Sequence, residues 1–449
     1  NKRMKHQIIS RTALMAAALL TAAAMLAQTP SQRQWTLREC ADYAVAHNIS
    51  IRQQRNQCSQ QAVQLHTAKH RRLPDLYASA SESFSFGRGL TMENTYADRN
   101  TSSTSLALSA SVPLFTGFEI PNTVKLRQLN LEAATQDLEK ARNDIRMQVA
   151  QAYVQILYNM EIADVAQRQV TIDSMQVARL QSFVDHGKAS IAQLSQQQAT
   201  LGQALSTATQ AAGNVRLALL DLSQLLELPS PDGFQIVRPA TTAIAAIPAS
   251  PEVVFAEAVA LKPEVQAEQL RLHASDRSIR IAQAGYYPTL SLNGGLQTNY
   301  YKTSGLAADG FGKQLKNNFA QYIGISLSIP IFNRFTTRNS VRMARLDRDN
   351  QALQLDLVKK RLYKEIQQVY YNAVAAQAKY ESSLLACQSG SEAFTLTRAK
   401  YENGKATVTE FNEAKSQLLK AESDLVQARY EYLYQTALLD FYRGKPLQF

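Results

Sequence analysis

His66 and His70 stand four residues apart, a spacing that sets two imidazoles on one helix face within reach of a single metal ion. No third ligand follows at a usable spacing, so a solvated helix face accounts for the pair better. Gly87-Arg88-Gly89 is too short for a dinucleotide loop and lies between two strand patterns, where such a loop has no helix N-terminus to open onto. Ser, His and Asp form no catalytic constellation. Cys40, Cys58 and Cys387 are too few for a disulfide framework and all fall in helical pattern. The expectation is a protein that is not an enzyme and holds no metal or cofactor. One pair of carboxylates remains: Glu410 and Glu413, one turn apart on one helix face.

The element that must position this pair is the stretch Tyr401 to Glu413, YENGKATVTEFNE, a Gly-centred break between two long helical patterns. Asn403-Gly404 suits a left-handed helix cap, because Gly carries no Cβ penalty at positive φ. Thr407 then offers a side-chain oxygen to the free N–H groups of the next helix. The stretch reads as the tip of a helical hairpin. The same tip occurs earlier as Asp185-His186-Gly187-Lys188-Ala189-Ser190.

The rest of the chain explains why there are two tips. It has 449 residues but only 17 Gly and 13 Pro, which favours long uninterrupted elements. The formal charge is +11, with no dense Lys/Arg block, so nucleic acid is a poor partner. Lys2, Arg3, Lys5 and Arg11 precede an Ala-rich apolar run to Ala27, the pattern of a secretory signal, expected to be cleaved near Ala27-Gln28. Thr36 with Glu39 makes a capping box ahead of a first helix. A second helix from Ile49 to about Arg72 is ended by Pro74.

The period then changes to two. Leu76, Ala78, Ala80, Phe84 and Phe86 alternate with Tyr77, Ser79, Ser81, Ser83 and Ser85, and Leu106 to Leu114 alternates in the same way after a polar loop. Helical period returns from Ile120 to Asp185, roughly 100 Å at 1.5 Å per residue, with a heptad seam through Val124, Leu131, Leu138 and Ile145 and on through Val149, Ile156, Ala163, Val170, Val177 and Val184. A Pro- and Ala-bearing linker follows the return helix, and then the pattern starts again. Ala44-Val45-Ala46 is echoed by Ala258-Val259-Ala260, Pro74 by Pro288, and SVPLFTGF from Ser111 by SIPIFNRF from Ser328. Gly187-Lys188-Ala189 is echoed by Gly404-Lys405-Ala406. Such a sustained offset marks an internal duplication. The expected divisions are 1–27 signal peptide, 28–73 N-terminal helices, 74–118 first β-hairpin, 119–227 first long helical hairpin, 228–262 linker, 263–287 helix, 288–334 second β-hairpin, and 335–449 second helical hairpin and C-terminus.

Four strands with one apolar face do not close a barrel, so several copies must pool strands; physics alone leaves the choice between two copies and three open. On the junction motifs SVPLFTGF and SIPIFNRF and the paired tips DHGKASIAQLSQQQA and YENGKATVTEFNEAKSQL, in order across nearly the whole chain, the sequence resembles the TolC-type outer-membrane efflux protein family. The resemblance implies a mainly α, mixed fold: a homotrimer whose twelve-stranded β-barrel in the outer membrane is continuous with an α-helical tunnel in the periplasm. It implies an exit channel for a tripartite efflux pump or type I secretion system, with a periplasmic adaptor and an inner-membrane transporter as partners. A non-conducting periplasmic coiled-coil spacer is the alternative. By resemblance, Gly187, Lys188, Ala189, Gly404, Lys405 and Ala406 dock the adaptor, and Glu410 and Glu413 form an acidic ring at the periplasmic entrance that raises its own pKa values. Tyr401 matches a tyrosine that helps hold the entrance closed. The sequence departs from the family at Ala406, where well-studied members carry Arg, and at Gln193, where they carry an acid, so a salt-bridged lock of that form is not expected here; a Tyr401–Gln193 hydrogen bond would be a weaker substitute.

Overall fold

The computed structural model describes residues 34–90, 94–239, 247 and 249–447, so the expected signal segment lies outside it. In chain order the elements are β1 (Gln34–Trp35), α1 (Leu37–His47), α2 (Ile49–His70), β2 (Asp75–Ser85), β3 (Arg88–Leu90), β4 (Tyr96–Asp98), β5 (Thr101–Thr116), α3 (Glu119–Asp185), α4 (Ile191–Leu225), β6 (Gln235–Ile236), α5 (Pro251–Leu261), α6 (Pro263–Gln283), β7 (Thr289–Thr303), α7 (Phe311–Asn317), β8 (Ala320–Ser328), α8 (Thr336–Glu402) and α9 (Val408–Tyr442). The duplication is visible in the lengths: α3 and α8 have 67 residues each, and α4 and α9 have 35 each. The described residues form two compact units, one from 34–54, 139–262 and 360–447, the other from 55–138 and 263–359.

The second unit carries a four-stranded antiparallel sheet in the order β2-β5-β7-β8. Its register sets Leu76, Ala110 and Gly294 side by side with Ile323, and Ala78, Leu108 and Leu296 in the neighbouring row. The period-two alternation therefore collects into one continuous apolar face, most of it exposed in the single chain. The opposite face is polar, with Ser111 Oγ donating to Asn293 Oδ1 at 2.8 Å. Toward the loop end Glu82 interrupts the apolar row ahead of Phe84, and its carboxylate accepts from Ser102 Oγ at 2.7 Å and from Thr104 Oγ1. β2 and β8 are open edges.

Some connections are richer than the sequence pattern predicts. The polar loop after β2 contains the small β3–β4 hairpin, the loop after β7 contains α7, and the linker contains β6, which pairs parallel with β1. The fourth strand ends at Ser328, well inside the expected 288–334 hairpin range, because Pro330 has no N–H to give a ladder. Pro113, the equivalent residue in the first half, sits at a β-bulge instead. Past the bulge Phe115 faces Leu290 and so joins the apolar side, which breaks the alternation expected to run through Leu114. Both strand-to-helix junctions then turn through two consecutive left-handed residues, Gly117 and Phe118 in the first half, Arg334 and Phe335 in the second.

The first unit is helical. The Thr36–Glu39 capping box forms as expected. Tyr153 OH donates to Val237 O at 2.6 Å and is 3.3 Å from Trp35 O, tying the β1–β6 pair to α3. Near the C-terminus, buried Lys262 lies 4.3 and 4.5 Å from the ring centres of Phe441 and Tyr442, and Arg443 pairs with Glu257. Cys40, Cys58 and Cys387 are free thiols, and burial pushes Cys40 up to about 12, which keeps it inert.

Candidate functional site: the hairpin tips and the helices behind them

Both tips close by the same physics. At the first, the N–H of Gly187 donates to Val184 O (2.9 Å) and that of Lys188 to Phe183 O (2.7 Å); at the second, Gly404 donates to Tyr401 O (3.1 Å) and Lys405 to Lys400 O (2.8 Å). These are paired Schellman closures around a left-handed residue, and both glycines have φ of 71° with open space where a Cβ would stand. Lys188 and Lys405 are exposed, while Ala189 and Ala406 are half-buried. The residue before each glycine also caps the helix it ends: His186 Nδ1 meets Ser182 O at 2.7 Å and Asn403 Nδ2 donates to Ala399 O at 2.8 Å.

The outgoing helices begin with capping boxes, Ser190 with Gln193 and Thr407 with Glu410. Gln193 Oε1 accepts from the Ser190 N–H at 3.1 Å, and the Glu410 carboxylate accepts from the Thr407 N–H at 2.6 Å and its Oγ1 at 2.9 Å. The Thr407 backbone and then side-chain hydrogen bonds hold the Glu410 carboxyl below its ordinary value. Within one chain the direction is therefore opposite to the rise expected from an acidic ring. A carboxylate depressed on folding stabilises at neutral pH, and that contribution is lost as pH falls through the depressed value. Acidification should accordingly release the amides of Thr407 to Glu410 to hydrogen exchange while those of Ser190 to Gln193, capped by an uncharged amide, keep their protection. Equal loss at both tips would refute this assignment.

Tyr401 does not reach Gln193. Its ring stacks on Phe411 at 4.9 Å, and Phe411 is in turn 5.5 Å from Phe394. Desolvation there pushes the Tyr401 hydroxyl up, opposed by the nearby Arg179 cation. Arg179, from the first hairpin, lies over both the Phe183 ring (5.3 Å) and the Tyr401 ring (5.6 Å), and its Nη2 donates to Glu402 O at 3.4 Å. A cation at the C-terminal end of α8 meets the negative end of that helix. Where the family resemblance led to a missing arginine at position 406, an arginine thus reaches the tyrosine from the other hairpin.

Behind the tips the buried stripe of α3 turns polar. Gln169, Asp173 and Gln176 are buried at heptad spacing, between Ala166 and Leu180, whereas the expected seam residues Val170, Val177 and Val184 are only half-buried. Asp173 accepts from Gln169 Nε2 (2.6 Å), from Gln197 Nε2 (3.1 Å) and from Lys415 Nζ, and Lys415 also donates to Asn412 Oδ1 (3.2 Å). Asn412 Nδ2 closes the network onto Gln197 Oε1 at 3.4 Å. Gln169, Asp173, Asn412 and Lys415 line a cavity of about 380 Å³, and the network joins α3 and α4 of the first hairpin to α9 of the second. Arg168–Glu422 (3.2 Å) and Arg429–Glu161 repeat the same cross-link farther along α3 and α9. Sequence reasoning passed over Asp173 and Lys415 because it sought apolar seams; the signal available was an acid flanked by amides at heptad spacing in the middle of a long helix.

The arrangement holds two hairpin tips together by charge and stacking, and the sheet presents one membrane-compatible face. Known proteins share this fold. The family model described as "Outer membrane efflux protein" matches residues 40–227 and 254–445. Outer membrane efflux protein BepC of Brucella suis is 21% identical over 350 residues, covering 78% of this chain and 73% of BepC. Protein CyaE of Bordetella pertussis is 25% identical over 421 residues, covering 90% and 81%. The solved structure of CusC superposes with a TM-score of 0.75 at 17% identity over 91% of both chains, and that of VceC from Vibrio cholerae with 0.74 at 20% over 92% and 97%. The chain belongs to the outer membrane efflux protein family.

Proposed function

We propose that three copies pool their strands into a twelve-stranded outer-membrane barrel that opens into a periplasmic helical tunnel, and that this assembly is the exit channel of a tripartite efflux or secretion machine. The observation that carries the reading is the four-stranded sheet with two open edges and one continuous apolar face. An isolated edge is a liability that closure with other copies removes. From Leu106 to Phe115 the apolar side of β5 runs about 30 Å, or somewhat over 20 Å of depth at a tilt of about 40°. Exposed Lys188 and Lys405, presented by equivalent turns, supply a repeated basic contact for a periplasmic adaptor joined to an inner-membrane transporter.

Planar-bilayer recording tests this reading. Purified protein should insert as a trimer and conduct, and Glu410→Gln with Glu413→Gln should lower its cation preference. Glutamine serves the capping box as Gln193 does, so the helix start is kept. Lys188→Glu with Lys405→Glu should leave conductance in place and abolish cross-linking to the adaptor. A monomer without conductance would favour the periplasmic spacer instead.

A further inference from the structure

The helix ends nearest the sheet carry a concentration of positive charge that the channel reading leaves unused. Exposed Arg72 follows α2, exposed Lys125 stands in the second turn of α3, and exposed Arg280 lies in the last turn of α6. Exposed Arg338, Arg342 and Arg345 follow at i, i+4 and i+7 along one face of α8, spanning about 10 Å. Among the described residues none of these six makes an ion pair with a carboxylate.

Aromatic side chains cluster at both strand-to-helix junctions of the unit. Phe115, Phe118 and Tyr287 form one edge-to-face chain, with centroids 5.2 and 6.0 Å apart, and Phe332 with Phe335 forms another at 5.5 Å. Phe118, Phe332 and Phe335 are more than half exposed, and Arg338 lies 5.8 Å from the centre of the Phe335 ring. The aromatics continue directly from the apolar side of the sheet: Phe115 faces Leu290 past the bulge, and exposed Ile329 and Ile331 lead from the end of β8 to Phe332. Along the chain the order is thus hydrocarbon-compatible strand, aromatic junction, then cations. That is the sequence of environments crossed on leaving a bilayer: acyl chains, interface, phosphate.

We infer that the helix-side rim of the sheet is a binding surface for anionic phospholipid headgroups, with the aromatic rings seated at the interface and Arg338, Arg342 and Arg345 contacting lipid phosphates. The inference rests on the outer-membrane placement of the sheet and is independent of the adaptor, the transporter and the cargo. Each cation near an anionic surface strengthens binding roughly fivefold, so the three arginines together set a marked preference for phosphatidylglycerol over zwitterionic lipid. Arginine suits this role because its planar fork meets a phosphate bidentately.

Native mass spectrometry of the detergent-solubilised full chain, titrated with phosphatidylglycerol or phosphatidylcholine, tests the surface. Wild type should retain phosphatidylglycerol selectively, and Arg338→Gln with Arg342→Gln and Arg345→Gln should lose that selectivity, at roughly fivefold in affinity per charge removed. The corresponding triple lysine variant should keep most of it. Arg342→Gln alone, a single exposed change, provides the readout should the triple variant fail to assemble. Equal retention of both lipids by wild type, unchanged phosphatidylglycerol binding in the glutamine variants, or full displacement by inorganic phosphate at physiological concentration would each overturn the lipid assignment. Conductance of the same samples reports separately on the channel, so a failure here is distinct from a failure of the functional reading.

Discussion

Replacing Lys415 with methionine should destabilise the helical unit by about 3–5 kcal/mol, among the largest effects of any single substitution in this chain. Lys415 is 5% exposed and Asp173 is not exposed at all, so removing the ammonium leaves a carboxylate buried with only amide donors. Two outcomes separate this from simple loss of packing. Asp173→Asn with Lys415→Met should recover most of the loss, because the pair then carries no charge to strand, whereas a packing defect would persist. The single variant should also raise basal conductance in bilayers, since the network is what fastens the first hairpin to the second behind the tips. Chemical denaturation monitored by circular dichroism measures the first effect. A Lys415→Met protein as stable as wild type would show that the amide donors of Gln169 and Gln197 alone sustain the buried carboxylate.

The second large effect is expected at Gly117. Its φ is +60°, and a Cβ there would stand 2.6 Å from Ala284 O and 2.9 Å from Tyr287 Cβ. Gly117→Ala therefore combines a left-handed residue, at about 1–2 kcal/mol, with an overpacked junction, at about 1–3 kcal/mol. The equivalent residue in the second half is Arg334, left-handed at φ 53° but exposed, so its side chain has room. Arg334→Gly should change stability by no more than about 1 kcal/mol, because relief of the backbone is offset by the entropy that glycine loses on folding. Refolding yield and thermal unfolding of the two variants, compared side by side, test the asymmetry. Equal tolerance at both junctions would mean that the first is looser than its geometry requires.

The duplication is also what made the fold readable. Period-two serine alternation, two Pro-bearing junctions and two Gly-Lys-Ala tips are local signals, each imposed by a backbone requirement that a few residues satisfy on their own. The caps at Thr36, Ser190 and Thr407 belong to the same class, since a capping box is complete within four residues. The bulge at Pro113 was half legible: the proline announced a lost ladder bond, but only pairing with β7 decided that the strand would bulge and bring Phe115 to the apolar side.

The candidate site divides along the same line. Gly187, Lys188, Gly404, Lys405 and Glu410 could be placed from sequence because turn chemistry and the repeat fix them. Arg179 on Tyr401, and Asp173 with Lys415, could not, because each partnership spans more than 200 residues and neither member stands out in its own helix. A buried charge is tolerable only where another element brings its counter-charge, and that meeting is settled by how α3, α4 and α9 pack. By itself the sequence determined the period of every long element, the turns between them and the repeat that orders them, since those rest on local sterics and hydrogen bonds. Which charges face one another across the two hairpins was decided only by tertiary packing, where desolvation selects the pairs that survive.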